Sequence, residues 1–177
     1  MSKPIMLSEN SRKSATKLLL VNWSRFSNVP IALEGSTLFT GVNGSGKSTI
    51  LDAMTYMLTG NTQFNKAALD RDRNVVSYVR GDTKSEGKNR FIREGEVTSY
   101  IAMEFWAPLE NQYLVVGVCI EYVNETSNTK KWFVFKDTRI DDCRFYTVKE
   151  KEVTVYPRHE LTVKGKKVPA GEFMNRD

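Results

Sequence analysis

Residues 41–49 read Gly-Val-Asn-Gly-Ser-Gly-Lys-Ser-Thr, which satisfies the pattern G-x-x-x-x-G-K-[ST]. These residue types suit the holding of a phosphate chain. Gly41, Gly44 and Gly46 carry no Cβ, so the backbone can turn tightly and approach a ligand closely. The N–H groups of residues 44–49, among them those of Asn43's neighbour Gly44 and of Ser45, can then converge on an anion. A helix starting at this point adds the positive end of its dipole. Lys47 supplies a point charge between the β- and γ-phosphates, Ser48 a hydroxyl for Mg²⁺, and Thr49 a group within reach of the α-phosphate. Together with Asn43, these positions form the expected phosphate-binding set, and Mg²⁺ with ATP is the expected ligand.

Such a loop needs a strand before it and a helix after it. Ser36–Thr40 (STLFT) reads as that strand. From Lys47 to Leu58, the residues Ile50, Leu51, Met54, Met57 and Leu58 recur on one helical face, and Gly60 fits the position that ends the helix. Upstream, Lys17–Trp23 and Ile31–Leu33 read as short strands. Downstream, 74–79 (NVVSYV) is ambiguous between helix and strand, and 81–89 (GDTKSEGKN) is a polar surface loop. From residue 97 the pattern turns β throughout. Val97–Trp106 alternates, with Ile101, Met103 and Phe105 on one side and Tyr100, Ala102 and Trp106 on the other. Tyr113–Val123, Lys131–Lys136, Arg144–Val148 and Val153–Tyr156 continue it as an antiparallel meander. The alternation over Tyr113–Val123 implies one solvent face.

Phosphate binding alone is not hydrolysis. Hydrolysis also calls for an apolar strand ending in a Mg²⁺-holding Asp, usually with a Glu beside it. No such strand follows residue 49, and Glu104 and Glu121 read as surface carboxylates on meander strands.

The 177 residues carry a net charge of +5, with 40% hydrophobic residues, which excludes disordered and collagen-like chains. No run approaches the ~18 apolar residues of a membrane helix, and the polar start does not read as a secretory signal. Cys119 and Cys143 are too few for a disulfide framework and too far apart for a zinc site, and read as free thiols. The whole charge surplus lies in residues 1–96, while 97–177 are balanced. The cations between Lys66 and Arg93 can meet phosphate, or can simply be a solvated loop interleaved with acids. Trp23, Trp106 and Trp132 lie at strand period and read as core or interface residues, His159 as a surface residue, and Asn124-Glu-Thr126 as a turn.

At residues 41–49, and at Asn43 in particular, the sequence resembles the ABC-type ATPases of the structural maintenance of chromosomes (SMC) and DNA-repair group. Asn22-Trp23 looks like part of their first strand. The blocks 71–81 (RDRNVVSYVRG) and 96–105 (EVTSYIAMEF) are similar to the MukB-like SMC ATPases of bacterial plasmid-defence systems, the Wadjet JetC type. The likeness spans roughly residues 15–160. It implies an α/β fold: the N-terminal lobe of a P-loop ATPase head, with a mixed sheet around the P-loop helix and an antiparallel β meander. Residues 1–14 would be a flexible N-terminus and 15–177 the lobe.

The resemblance further implies a coiled coil and a C-terminal lobe outside this sequence, carrying the signature motif, the Mg²⁺-binding Asp and the catalytic Glu. The present residues would then bind ATP and hydrolyse little or none alone. Two heads would join on ATP as a homodimer, grip the backbone of duplex DNA, and work with accessory subunits in the cytoplasm at the nucleoid, away from membranes. Arg71 or Arg73 would couple nucleotide to DNA, and Lys84, Lys88, Arg90 and Arg93 would contact DNA. The family's later Mg²⁺-coordinating glutamine has no clear match, since Gln63 comes too early and Gln112 falls at a turn. Two other readings stand beside this one: a small P-loop kinase or transferase, and a nucleotide-dependent interaction module without catalysis.

Overall fold

The computed structural model describes residues 11–64, 73–83 and 90–176. Its centre is a six-stranded sheet of order β10-β5-β4-β3-β1-β2. The strands are β1 (Ser14–Trp23), β2 (Phe26–Ala32), β3 (Val97–Ala107), β4 (Gln112–Tyr122), β5 (Asn128–Lys136) and β10 (Phe173–Met174). Every pairing in the sheet is antiparallel, so the expected mixed sheet is not what forms among the described strands. Three of the five pairings, β1–β2, β3–β4 and β4–β5, join hairpin-connected neighbours, which can only pair antiparallel; β1–β3 and β5–β10 are antiparallel through longer connections.

Two layers cover this sheet. On one face lie α1 (Lys47–Thr59) and α2 (Val75–Arg80), over Leu18, Leu20, Ile101, Met103, Val118 and Ile120. The other face buries Leu19, Val21, Tyr100, Ala102, Val115 and Phe133. It is covered by the C-terminal segment, which carries the short hairpins β6–β7 (Tyr146–Lys149, Glu152–Val155) and β8–β9 (Thr162–Val163, Lys166–Lys167). The two-residue period of β3 is thus used on both sides, with Ile101 and Met103 toward the helices and Tyr100 and Ala102 away from them. β4 is likewise covered on both faces, which corrects the expected solvent face: Val115 and Cys119 lie under the C-terminal segment. Gly117 sits among them because the Phe133 ring crosses its position; a Cβ there would lie 2.4 Å from Phe133 Cζ.

Local chemistry decides the ambiguous 74–79 segment. Asn74 Oδ1 accepts from Ser77 N at 2.8 Å, and Ser77 Oγ accepts from Asn74 N at 3.2 Å. This reciprocal capping box starts α2. α1 ends at Gly60, whose φ of 68° and N–H bond to Tyr56 O make the expected glycine stop. Two tryptophans hold α1 to the sheet. Trp23 Nε1 of β1 donates to Thr49 O at 3.1 Å, and Trp132 Nε1 of β5 donates to Met57 O at 2.9 Å. Trp23 also stacks on Tyr78 of α2, with ring centroids 4.6 Å apart.

Ser36–Thr40 is not a strand. The segment enters the loop without a ladder partner among the described residues, and Leu38 is 83% exposed. Its composition favours β structure, but a strand needs a neighbour, and the sheet ends at β2 on that side.

Candidate nucleotide-binding site

The loop is exposed over residues 41–45 and turns on Gly44 (φ 84°) and the half-buried Gly46 (φ 101°). Both lie in the left-handed region that L side chains resist. α1 begins directly at Lys47, with Ile50 N bonded to Gly46 O at 3.0 Å. No side chain caps this end, and no acid stands in the first turn. The first-turn N–H groups therefore keep the polarity an anion takes.

Lys47 folds back over the loop. Its Nζ donates to Gly41 O, to Val42 O at 3.0 Å and to Ser45 Oγ at 3.5 Å. All three acceptors belong to the loop, so the ammonium is held above it rather than extended into solvent. Ser48 and Thr49 occupy the first helical turn, half-buried, and Thr49 is anchored through its carbonyl by Trp23. Asn43 lies in the exposed turn before Gly44. Among the described residues no three His, Cys, Asp or Glu side chains cluster as a metal site. The donor set fits a Mg²⁺-bound triphosphate: an uncapped helix start, one ammonium over the loop, and a hydroxyl at Ser48 for the cation.

Two residues that sequence patterning did not mark shape this site. The Phe26 ring packs on Gly46, where a Cβ would lie 2.8 Å from Phe26 Cζ. Asp52, one turn along α1, is buried and accepts from Tyr78 OH. Arg73 Nη1 stands 3.5 Å from the same carboxylate and 3.4 Å from Tyr78 OH. Burial, and then the bond to Asp52, push the Tyr78 phenol pKa up. This trio ties α1 to the start of α2. Arg73 therefore has an ion-pair partner beside the site, Asp52. Arg71 lies outside the described residues, as do Lys84 and Lys88.

The remaining candidates are split. Arg90 is exposed beside Asp82, 3.6 Å away, and lies over the Phe91 ring. Arg93 is turned inward, which corrects its reading as a DNA-contact residue. It donates from Nε to Asn22 Oδ1 at 2.8 Å, from Nη1 to Ser24 O at 2.8 Å and Val79 O at 3.1 Å, and from Nη2 to Phe26 O at 3.0 Å. Burial lowers its pKa to about 10, which leaves it charged at neutral pH.

The two strand glutamates are not surface carboxylates. Glu104 is fully buried, and Glu121 is held by Arg158 through N at 2.9 Å and Nε at 3.2 Å. Both face the C-terminal segment, away from the loop. Cys119 is buried and Cys143 half-buried, both free, and burial raises both thiol pKa values. Neither is poised as a nucleophile.

A family model described as the P-loop containing region of AAA domain matches residues 15–71. No curated protein matches the chain. The matched stretch takes in β1, β2, the glycine loop and α1, the same elements that build the phosphate cradle, and it stops before α2. The family match and the geometry of residues 41–49 together support a P-loop, ATPase-like nucleotide-binding region in this part of the chain.

Proposed function

We propose that this chain is the ATP-binding lobe of a split ATPase of the SMC type, whose phosphate loop works against a second lobe. The observation that carries the reading is the apolar strip around the loop. The approach segment 36–40 has no ladder partner among the described residues. Leu38 at 83%, Val42 at 80%, Leu51 at 52% and Leu58 at 49% stay exposed along it and α1. Covering such side chains is worth about 1.5–3 kcal/mol each when burial is complete. A lobe that pairs with 36–40 and covers Leu51 and Leu58 would stand next to Ser48 and Lys47. It is the natural carrier of the Mg²⁺-binding Asp and water-activating Glu that the resemblance implies.

In this reading Lys47 and the first-turn N–H groups bind and orient the triphosphate, Ser48 holds one side of Mg²⁺, and the second lobe completes hydrolysis. Two such heads join on ATP and grip duplex DNA through its phosphates, with Arg90, Lys84 and Lys88 as contributors and Arg71 or Arg73 coupling nucleotide to DNA. Contacts of that kind carry no base readout and weaken as salt rises.

The test is a reconstitution. This chain with Mg²⁺ and ATP is expected to bind nucleotide and release little phosphate. Adding the cognate C-terminal lobe, produced separately, is expected to raise turnover at least about tenfold, and Leu38→Glu to weaken that association. Full turnover by the chain alone, or phosphoryl transfer to a small acceptor, overturns the split-ATPase reading. ATP-driven association without any hydrolysis after the lobe is added would instead favour an interaction module.

A further inference from the structure

Arg93 sits more than forty residues from the glycine loop in sequence, yet its contacts lead there. Four of the five N–H donors of its guanidinium are engaged, all by the β1–β2 turn or by α2. The turn they hold is a strained one. Asn22 (φ 51°) and Ser24 (φ 53°) both sit in the left-handed region, with Trp23 between them. A non-glycine residue there costs roughly 1 kcal/mol or more unless local bonds compensate. Here Arg93 supplies those bonds to both residues, through the Asn22 side chain and the Ser24 carbonyl. Ser24 N is tied in addition to Tyr78 O at 2.5 Å. Gly81 leaves the space for this grip: a Cβ there would lie 2.7 Å from Ser24 O and 3.2 Å from Arg93 Nη1.

The turn so fixed ends in the two side chains that touch the start of α1. Trp23 donates its indole N–H to Thr49 O at 3.1 Å, and the Phe26 ring lies on the Gly46 face of the loop. Phe26 is also the residue whose carbonyl Arg93 holds. A single guanidinium therefore sets both supports of the phosphate cradle, one on its last glycine and one on its third helical residue.

We propose that Arg93 is a positioning residue for the phosphate loop, acting through the β1–β2 turn to hold Phe26 on Gly46 and Trp23 on Thr49. It does not touch nucleotide; it fixes the backbone whose N–H groups do. The proposal rests on the nucleotide-binding reading of residues 41–49. Lysine cannot replace Arg93, because a point charge on a flexible stem does not span four acceptors in a plane.

The test uses Arg93→Lys and Phe26→Leu in the full chain, with Phe26→Tyr as the conservative control. Two quantities are measured well below each melting temperature. One is the set of amide proton and nitrogen shifts of Gly44, Gly46 and Lys47 without nucleotide. The other is the affinity for a fluorescent ATP analogue with Mg²⁺. The amide signals of the loop are expected to move in Arg93→Lys and Phe26→Leu and to stay in Phe26→Tyr. Those of Thr147 and Val153, in the hairpin on the far side of the sheet, should not move in any variant. Affinity should fall about tenfold in the first two variants, the size of effect a displaced binding group gives. Lower melting temperatures with unmoved loop signals overturn the proposal, since a merely structural arginine would give that result. Should Arg93→Lys fail to fold, Phe26→Leu decides alone. The amide readout needs no nucleotide, so it judges the positioning even if the wild-type chain binds none, a result that would remove the nucleotide reading instead.

Discussion

Replacing Lys47 by alanine is expected to abolish measurable ATP binding. The ammonium is held over the loop itself, kept there by Gly41 O and Val42 O. A triphosphate entering the loop would exchange those carbonyl contacts for charge-assisted bonds to phosphate oxygens, worth about 1.5–3 kcal/mol each. Losing two of them weakens binding at least about a hundredfold, since each 1.4 kcal/mol is a factor of ten. The first-turn N–H groups remain in the variant and cannot make up the difference, because a helix start contributes only about 0.3–1 kcal/mol toward an exposed anion. The hydrogen bonds of Lys47 among the described residues go to the loop itself, so the melting temperature should change little. Calorimetric titration with Mg²⁺ and ATP checks the prediction, and unchanged affinity in a folded Lys47→Ala chain would remove the assignment of residues 41–49.

That site was legible because its chemistry is local. The glycines, Lys47 and Ser48 are contiguous, and the helix that follows announces itself by the period of Ile50, Met54 and Met57 and by Gly60. The strands of the sheet were legible for a similar reason, since alternation is a property of each strand alone. What alternation cannot tell is whether the second face is wetted or covered. For β4 the answer lay in a segment with only short strands and three-residue turns, which has no period to read. Arg93 was misread on the same principle. Its acceptors Asn22, Ser24 and Phe26 are about seventy residues away, and nothing in a charged loop marks which cation will be drawn inward. Ser36–Thr40 failed in the opposite direction. Its residues favour a strand, but pairing depends on a neighbour that the described part of this sheet does not provide. The mistakes therefore share one cause, tertiary partners distant in sequence, and none lies within the phosphate loop itself.

Glu104 is the clearest case of that cause, and removing it should be the most damaging change to stability. It stands on β3 with no exposed surface and joins three parts of the chain. Thr16 Oγ1 of β1 donates to it at 2.7 Å, Arg139 Nη2 donates at 3.1 Å, and the backbone N–H of Ile140 donates at 2.9 Å. Glu104→Ala leaves the buried Ile140 N–H without its acceptor and releases the turn that seats Ile140 in the second core. Breaking a buried pair by deleting one partner costs about 3–5 kcal/mol; the half-exposed Arg139 argues for the lower end, about 3 kcal/mol. In a domain of this size that is a fall of about 6–12 °C in melting temperature. Glu104→Gln separates charge from shape. Burial alone would raise the carboxyl pKa, but the bonds from Arg139, Thr16 and Ile140 outweigh it and hold the value below the ordinary carboxylate range. The ionised form is therefore favoured by folding. Its stabilising contribution is complete above the unfolded-state pKa and is lost as pH falls through the lower folded one. The gap in melting temperature between wild type and Glu104→Gln should be wide at pH 7 and narrow progressively below pH ~4. A gap that stays constant across that window would mean that the charge on Glu104 contributes nothing and that the neutral hydrogen bonds alone hold the turn.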